Sequence, residues 1–173
     1  MSVVLRSSLS ITALVGVLSL GACASMPGAR AEAQLQPTQG NRAAGTATFT
    51  RQGDQVMVHA RVTGLTPGQE HGFHIHEKGD CSSTDGMSAG GHFNPDGKPH
   101  GPQHADHHAG DMPSLKADAQ GVAEARFALS GLSVGSGASN IVGRGLIVHA
   151  KPDDYRSQPT GDAGARLACA VIR

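Results

Sequence analysis

The chain predicts an all-β protein, an antiparallel Greek-key sandwich or flattened barrel from which two long loops build a site. Three observations carry that expectation. From Gly45 onward, short β-prone runs alternate with turn chemistry. Nowhere in that region do apolar residues recur at the i, i+3, i+4, i+7 spacing of an amphipathic helix, and no internal repeat appears. Glycine is abundant, at 24 of 173 residues, aromatic residues make up only 3%, and tryptophan is absent, which suits short strands joined by many turns.

Taken in order, residues 46–50 and 55–62 read as a hairpin around the turn Gln52, Gly53, Asp54. Further strands are predicted over 70–77, 114–117, 122–129, 141–149 and 165–172. Two stretches lack strand periodicity, 78–112 and 150–164. Loops of that length are uncommon in a small domain unless they serve a function. One domain accounts for the length. The 14 basic and 14 acidic residues balance, so no global field argues for a nucleic acid or another polyanion as partner.

Ahead of the strands, Arg6 and an apolar run from Ala13 to Leu20 form the pattern of a bacterial secretory signal peptide, too short to span a bilayer comfortably. The run ends in Leu20, Gly21, Ala22 and Cys23, which resembles a lipobox. The expected organisation is therefore a signal peptide over 1–22, a flexible tether lipidated at Cys23 over 23–40, and a folded domain over 41–173. The lipid on Cys23 would be the only membrane contact, on the periplasmic side of the cell envelope. Ala24, rather than Asp, after that cysteine favours the outer membrane. With Cys23 assigned to lipid, Cys81 and Cys169 remain in an oxidising compartment and are expected to pair.

Six of the ten histidines and one aspartate fall into the order H-x-H, H-x7-H-x7-H-x2-D, then a lone His: His74, His76, His92, His100, His108, Asp111 and His149. Residues two apart on a strand project to one face, so His74 and His76 can offer two imidazoles to one ion. The stretch from His92 to Asp111 is rich in Gly, Pro and Asp, residues that wrap a loop around a cation rather than pack a core. Three imidazoles and a carboxylate make a closed tetrahedral zinc set, whereas clustered imidazoles with an open position suit copper. His92 sits where either set could claim it.

Five strings, GFHIHEKGDC over 72–81, SAGGHFNP over 88–95, HAGD over 108–111, LIVH over 146–149 and GARLAC over 164–169, closely resemble the Cu,Zn superoxide dismutases, in particular the bacterial exported type. The resemblance implies dismutation of superoxide to dioxygen and hydrogen peroxide by copper that is alternately reduced and re-oxidised next to a structural zinc. It implies His74, His76, His92 and His149 as copper ligands and His92, His100, His108 and Asp111 as zinc ligands. His92 would bridge the two metals and deliver a proton. Arg166 matches the arginine that would hold the anion beside copper. Asp153 matches the carboxylate that orients ligand histidines, with His74 and His100 as its expected partners.

Lys78 is the favoured steering cation, with Lys151 and Arg156 as further candidates. Between His100 and His108 the chain is a residue shorter than the eukaryotic pattern, so His104 and His107 compete with His108 for zinc. His71 is expected to be a structural hydrogen-bonding residue and His59 a surface residue. The alternative function is a non-catalytic periplasmic copper- and zinc-binding protein, which would need neither Arg166 nor Asp153. A zinc hydrolase is disfavoured because the zinc set already has four protein ligands. The molecule is expected as a homodimer or a monomer.

Overall fold

Period-two burial shapes the strands. In the strand Gln55–Thr63, Val56, Val58, Ala60 and Val62 point inward, while Met57, His59 and Arg61 face out. The structure is a computed structural model that describes Met1 and residues 28–173. The expected leader beyond Met1 and the expected lipidation site at Cys23 lie outside the described residues.

Nine strands are described: β1 (Arg30–Pro37), β2 (Ala44–Gln52), β3 (Gln55–Thr63), β4 (Glu70–His71), β5 (Phe73–His76), β6 (Leu115–Lys116), β7 (Ala123–Ser130), β8 (Gly145–His149) and β9 (Arg166–Val171). Seven of them form one antiparallel sheet in the order β5-β8-β9-β1-β2-β3-β7, and β4 pairs with β6 separately. The described residues hold no α-helix, only a single 3-10 turn at Met87–Ala89. The chain crosses from β3 to β5 and from β7 to β8, between opposite ends of the sheet. Phe73 and Ile75 from one end share a hydrophobic core with Ala123 and Leu129 from the other, so the sheet curls around that core.

The start of the folded domain differs from expectation. Residues 30–37 fall within the predicted tether, yet they form β1, the central strand of the sheet. Residues 30–35 pair with β2, and the chain then turns so that Gln36 and Pro37 pair with β9. Ala31, Ala33 and Leu35 alternate into the core and are at most 2% exposed. Alanine, glutamine and proline carry little strand propensity. Burial between two neighbouring strands overrides that weak local preference. The predicted strand over 141–149 is also shorter: a turn closed by Arg144 N–H donating to Ile141 C=O (3.0 Å) precedes β8.

The short strand β5 positions the site. Phe73 and Ile75 are wholly buried in the core, and each contributes on the order of 1.5–3 kcal/mol. Their burial forces His74 and His76 onto the opposite face. That face is covered by the 78–112 loop, whose backbone completes the β5 edge: Ile75 N–H donates to Gly110 C=O (2.9 Å) and Phe93 N–H donates to Ile75 C=O (2.8 Å). A β-carbon at position 110 would lie 2.2 Å from the Ile75 oxygen, so only glycine permits this approach.

Candidate metal centre

The loop contacts at β5 place His92 opposite His76 and Asp111 opposite His74 as isolated bridges. His149 arrives from the end of β8, where the register with β9 shifts so that it faces Arg166 rather than Leu167. The extra residue is a β-bulge. Ala168 and Ala170 face the core, so unbroken alternation would send Arg166 there too. The bulge turns it to the face that carries His149.

Two four-residue sets result: His74, His76, His92 and His149; and His92, His100, His108 and Asp111. Within each set one donor atom per residue lies within 4.8 Å of all the others. All seven residues are at most 6% exposed. His92 belongs to both sets. His104 and His107 belong to neither; His104 is exposed, and His107 Nδ1 bonds the Ala105 carbonyl at 2.7 Å.

In the first set, one nitrogen of each ring is held and the other faces inward. His74 Nε2 bonds Asp153 Oδ2 (2.6 Å), His76 Nδ1 the Gly90 carbonyl (2.9 Å), and His149 Nδ1 the Gly164 carbonyl (3.2 Å). His74 Nδ1, His76 Nε2, His92 Nε2 and His149 Nε2 are buried with no hydrogen-bond partner among the described residues. A buried ring nitrogen without a partner is costly. Four of them converging on one space fit a metal ion that accepts their lone pairs, with the outer bonds fixing each tautomer.

The second set has the dimensions of a tetrahedral zinc site. Asp111 Oδ1 lies 2.7 Å from His92 Nδ1, 3.0 Å from His100 Nδ1 and 3.4 Å from His108 Nδ1. Donors about 2.0–2.1 Å from a tetrahedral zinc are about 3.3 Å apart. His100 Nδ1 and His108 Nδ1 have no aligned hydrogen-bond partner among the described residues despite that proximity. The other oxygen, Asp111 Oδ2, accepts from the N–H groups of His108 (2.9 Å) and Gly101 (3.1 Å).

Asp153 lies between the two sets. Its carboxylate accepts from His74 Nε2 and from His100 Nε2 (2.9 Å) and also takes the Tyr155 N–H (2.7 Å). Gly161 passes close by in a left-handed conformation (φ 67), and a β-carbon there would lie 2.0 Å from Asp153 Oδ1. Arg166 donates to the Gly86 carbonyl (2.7 Å) and the Gly90 carbonyl (2.6 Å). Gly90 C=O thus ties Arg166 to His76. Sequence reasoning missed this link, because a backbone carbonyl leaves no mark on residue type.

Burial lowers His74 to about 4 against the pull of Asp153, lowers His149 to about 3, and holds His76 well below 6.5. These rings are neutral at neutral pH, the form that binds metal. For His100, burial is outweighed by Asp111 and Asp153, which raise it to about 9. A metal cation bound at its Nδ1 would take the place of that proton. Both carboxylates sit below their usual range, since the histidine hydrogen bonds outweigh burial. The donor set fits copper in the first position and zinc in the second.

The remaining singled-out residues frame the site. His71 is fully buried and its Nδ1 donates to the His149 carbonyl at 2.8 Å. His59 lies on the outer face of β3, where its Nε2 is 2.9 Å from Glu124 Oε1. Lys78, just past β5, is exposed and has no carboxylate within 4.0 Å among the described residues, whereas Lys151 pairs with Asp162 at 3.5 Å. Arg156 is exposed. Cys81 and Cys169 form a disulfide whose sulfurs are 1.97 Å apart, which ties the loop to β9 three residues from Arg166.

Known proteins share this sequence and this fold. The sequence model of the family described as "Copper/zinc superoxide dismutase (SODC)" matches residues 43–172. The chain is 38% identical over 165 residues to "Superoxide dismutase [Cu-Zn] 2" of Aquifex aeolicus (strain VF5), covering 92% of this chain and 96% of the relative. It is 42% identical over 136 residues to "Superoxide dismutase [Cu-Zn]" of Paramecium bursaria Chlorella virus 1, covering 74% and 71%. Among solved structures, the crystal structure of the clock protein EA4 is similar with a TM-score of 0.75 and 38% identity, over 86% of this chain and 96% of that one.

Proposed function

Because this chain belongs to the copper/zinc superoxide dismutase family, whose cofactors are copper and zinc, we propose how its own residues divide the work of that activity. His74, His76, His92 and His149 hold copper; His92, His100, His108 and Asp111 hold zinc. The observation that carries this division is the set of buried, inward-facing ring nitrogens, which at His74, His76, His92, His100 and His149 belong to rings held by a bond at their other nitrogen. The net reaction converts two superoxide anions and two protons into dioxygen and hydrogen peroxide. Copper supplies the one-electron acceptor and donor, and zinc, which has no redox chemistry, fixes geometry.

Within that reaction Arg166 is the anion-binding group. Its guanidinium is held by two carbonyls and is pre-oriented before substrate arrives. His92 faces the copper set with Nε2 and the zinc set with Nδ1, and Nε2 is the atom at which we place the proton delivered to the nascent peroxide. Asp153 orients His74 and His100 together and so couples the two halves. Lys78 adds local positive charge on the approach to the site.

The direct test is superoxide decay catalysed by the copper- and zinc-loaded protein. Metal binding without turnover would favour the non-catalytic metal-binding alternative. Arg166→Ala is expected to lower kcat/KM by about 10- to 100-fold, the size of one charge-assisted hydrogen bond of about 1.5–3 kcal/mol. Arg166→Lys should retain part of the rate. Lys78→Ala should slow the reaction mainly at low ionic strength, since added salt screens an exposed charge. A salt-independent defect would count against steering.

We further place the enzyme on the periplasmic side, held to the outer membrane by a lipid on Cys23, a reading supported by the sequence around that cysteine. Expressed with its leader, the protein should partition with membranes, and Cys23→Ala should move it to the soluble periplasmic fraction. Soluble wild-type protein would overturn the anchor.

A further inference from the structure

We propose that Gln158 is a positioning residue for zinc: its side-chain amide grips both backbone groups of His100 and so sets where Nδ1 of that imidazole points. The inference rests on the assignment of His100 to the zinc set. His100 lies between Pro99 and Gly101 in a segment that no strand carries. Its N–H donates to Gln158 Oε1 at 2.9 Å, and its C=O accepts from Gln158 Nε2 at 2.9 Å. No backbone partner for either group is present among the described residues. A neighbouring strand ordinarily provides this reciprocal pair of bonds. Here one side chain provides both, from a loop 58 residues further along.

Gln158 is itself held. Asp154 Oδ1 accepts from Arg156 N–H (2.9 Å) and Ser157 N–H (2.8 Å), while Ser157 Oγ donates to Asp154 Oδ2 (2.6 Å). This Asx turn sets the backbone that launches Gln158. His100 is then fixed at three points: its N–H, its C=O, and Nε2 on Asp153 Oδ1. With those engaged, Nδ1 is left 3.0 Å from Asp111 Oδ1, among the other zinc donors. The other two imidazoles are placed without Gln158. His92 bridges to His76, and His108 N–H donates to Asp111 Oδ2.

The chemistry of the amide distinguishes this role from simple packing. Glutamate has the same shape as glutamine but no donor, and Gln158→Glu sets a carboxylate oxygen against the His100 carbonyl. Gln158→Ala removes both bonds without repulsion. The experiment compares both variants with the full protein, measuring zinc affinity by chelator competition, the absorption of cobalt(II) substituted for zinc, copper affinity, and the melting temperature of the metal-free chain. Zinc affinity is expected to fall by about 10-fold or more, as for other partners that orient a metal ligand. The loss should be at least as large for Gln158→Glu as for Gln158→Ala, with shifted cobalt bands and unchanged copper affinity.

Unchanged zinc affinity and cobalt bands would overturn the proposal. So would zinc affinity, copper affinity and melting temperature falling together, which would mark general loosening. His100→Ala serves as the control: undiminished zinc binding in that variant would overturn the ligand assignment beneath the proposal.

Discussion

Replacing His149 with alanine is expected to remove copper-dependent superoxide turnover while zinc stays bound. His149 Nε2 is one of four ring nitrogens of the proposed copper set that have no hydrogen-bond partner among the described residues, and His149 is 4% exposed. Its ring is fixed by the Gly164 carbonyl and its backbone by the Gly72 carbonyl, which accepts the His149 N–H at 2.8 Å. Alanine keeps the backbone bond and deletes the donor. Three imidazoles remain, and water takes the vacated volume. Loss of a partner that merely orients a ligand costs roughly 10–100-fold in metal affinity or activity, so deleting a ligand should cost more. The zinc set does not include His149, and its donors are brought by the 78–112 loop. Superoxide decay and metal content measured on the same preparation decide the matter. Wild-type turnover in the variant would remove His149 from the copper set, and parallel loss of both metals would mean that the two halves are not separately held.

The second large effect concerns stability. The Cys81–Cys169 bridge spans a sequence separation of 88 residues. On the chain-entropy argument, closing a loop of that length in the unfolded chain is worth about 4–5 kcal/mol. The variant should be Cys81→Ser with Cys169→Ala, because Cys169 is buried and a serine there would add the cost of an unpaired hydroxyl. The urea midpoint of the metal-free protein should fall by the corresponding amount, and the slope should rise as the unfolded chain expands. A loss below about 1 kcal/mol would show that loop closure is not what the bridge contributes. Turnover should also drop. Thr38 Oγ1 donates to the Arg166 carbonyl (2.7 Å), and Arg166 reaches Gly86 and Gly90 of the same loop that the bridge tethers.

Most of the sheet was readable along the chain, and the reason differs strand by strand. β3 announces itself through Val56, Val58, Ala60 and Val62 at every second position with polar His59 and Arg61 between them, a pattern that burial on one face imposes. β1 does not, because Ala31 and Ala33 are small and the run contains glutamine and proline. Only the space between β2 and β9 makes those alanines core residues. The donors were readable for another reason. Histidine pairs at strand spacing followed by a Gly- and Pro-rich His and Asp series are chemically distinctive, and the residues so marked are the ones that lie together.

The linear order of residues thus determined the strand class, the two long loops and the chemistry of the donors, since each depends on residue type and short-range spacing. Tertiary structure decided what depends on direction. The bulge opposite His149 chose the face on which Arg166 emerges. Carbonyls of Gly90 and Gly164 chose which ring nitrogen of His76 and His149 faces inward. Close packing at Gly110 and Gly161 let backbone approach where no side chain fits. A backbone carbonyl is common to every residue and a bulge is a relation between two strands, so neither exists until the strands have met.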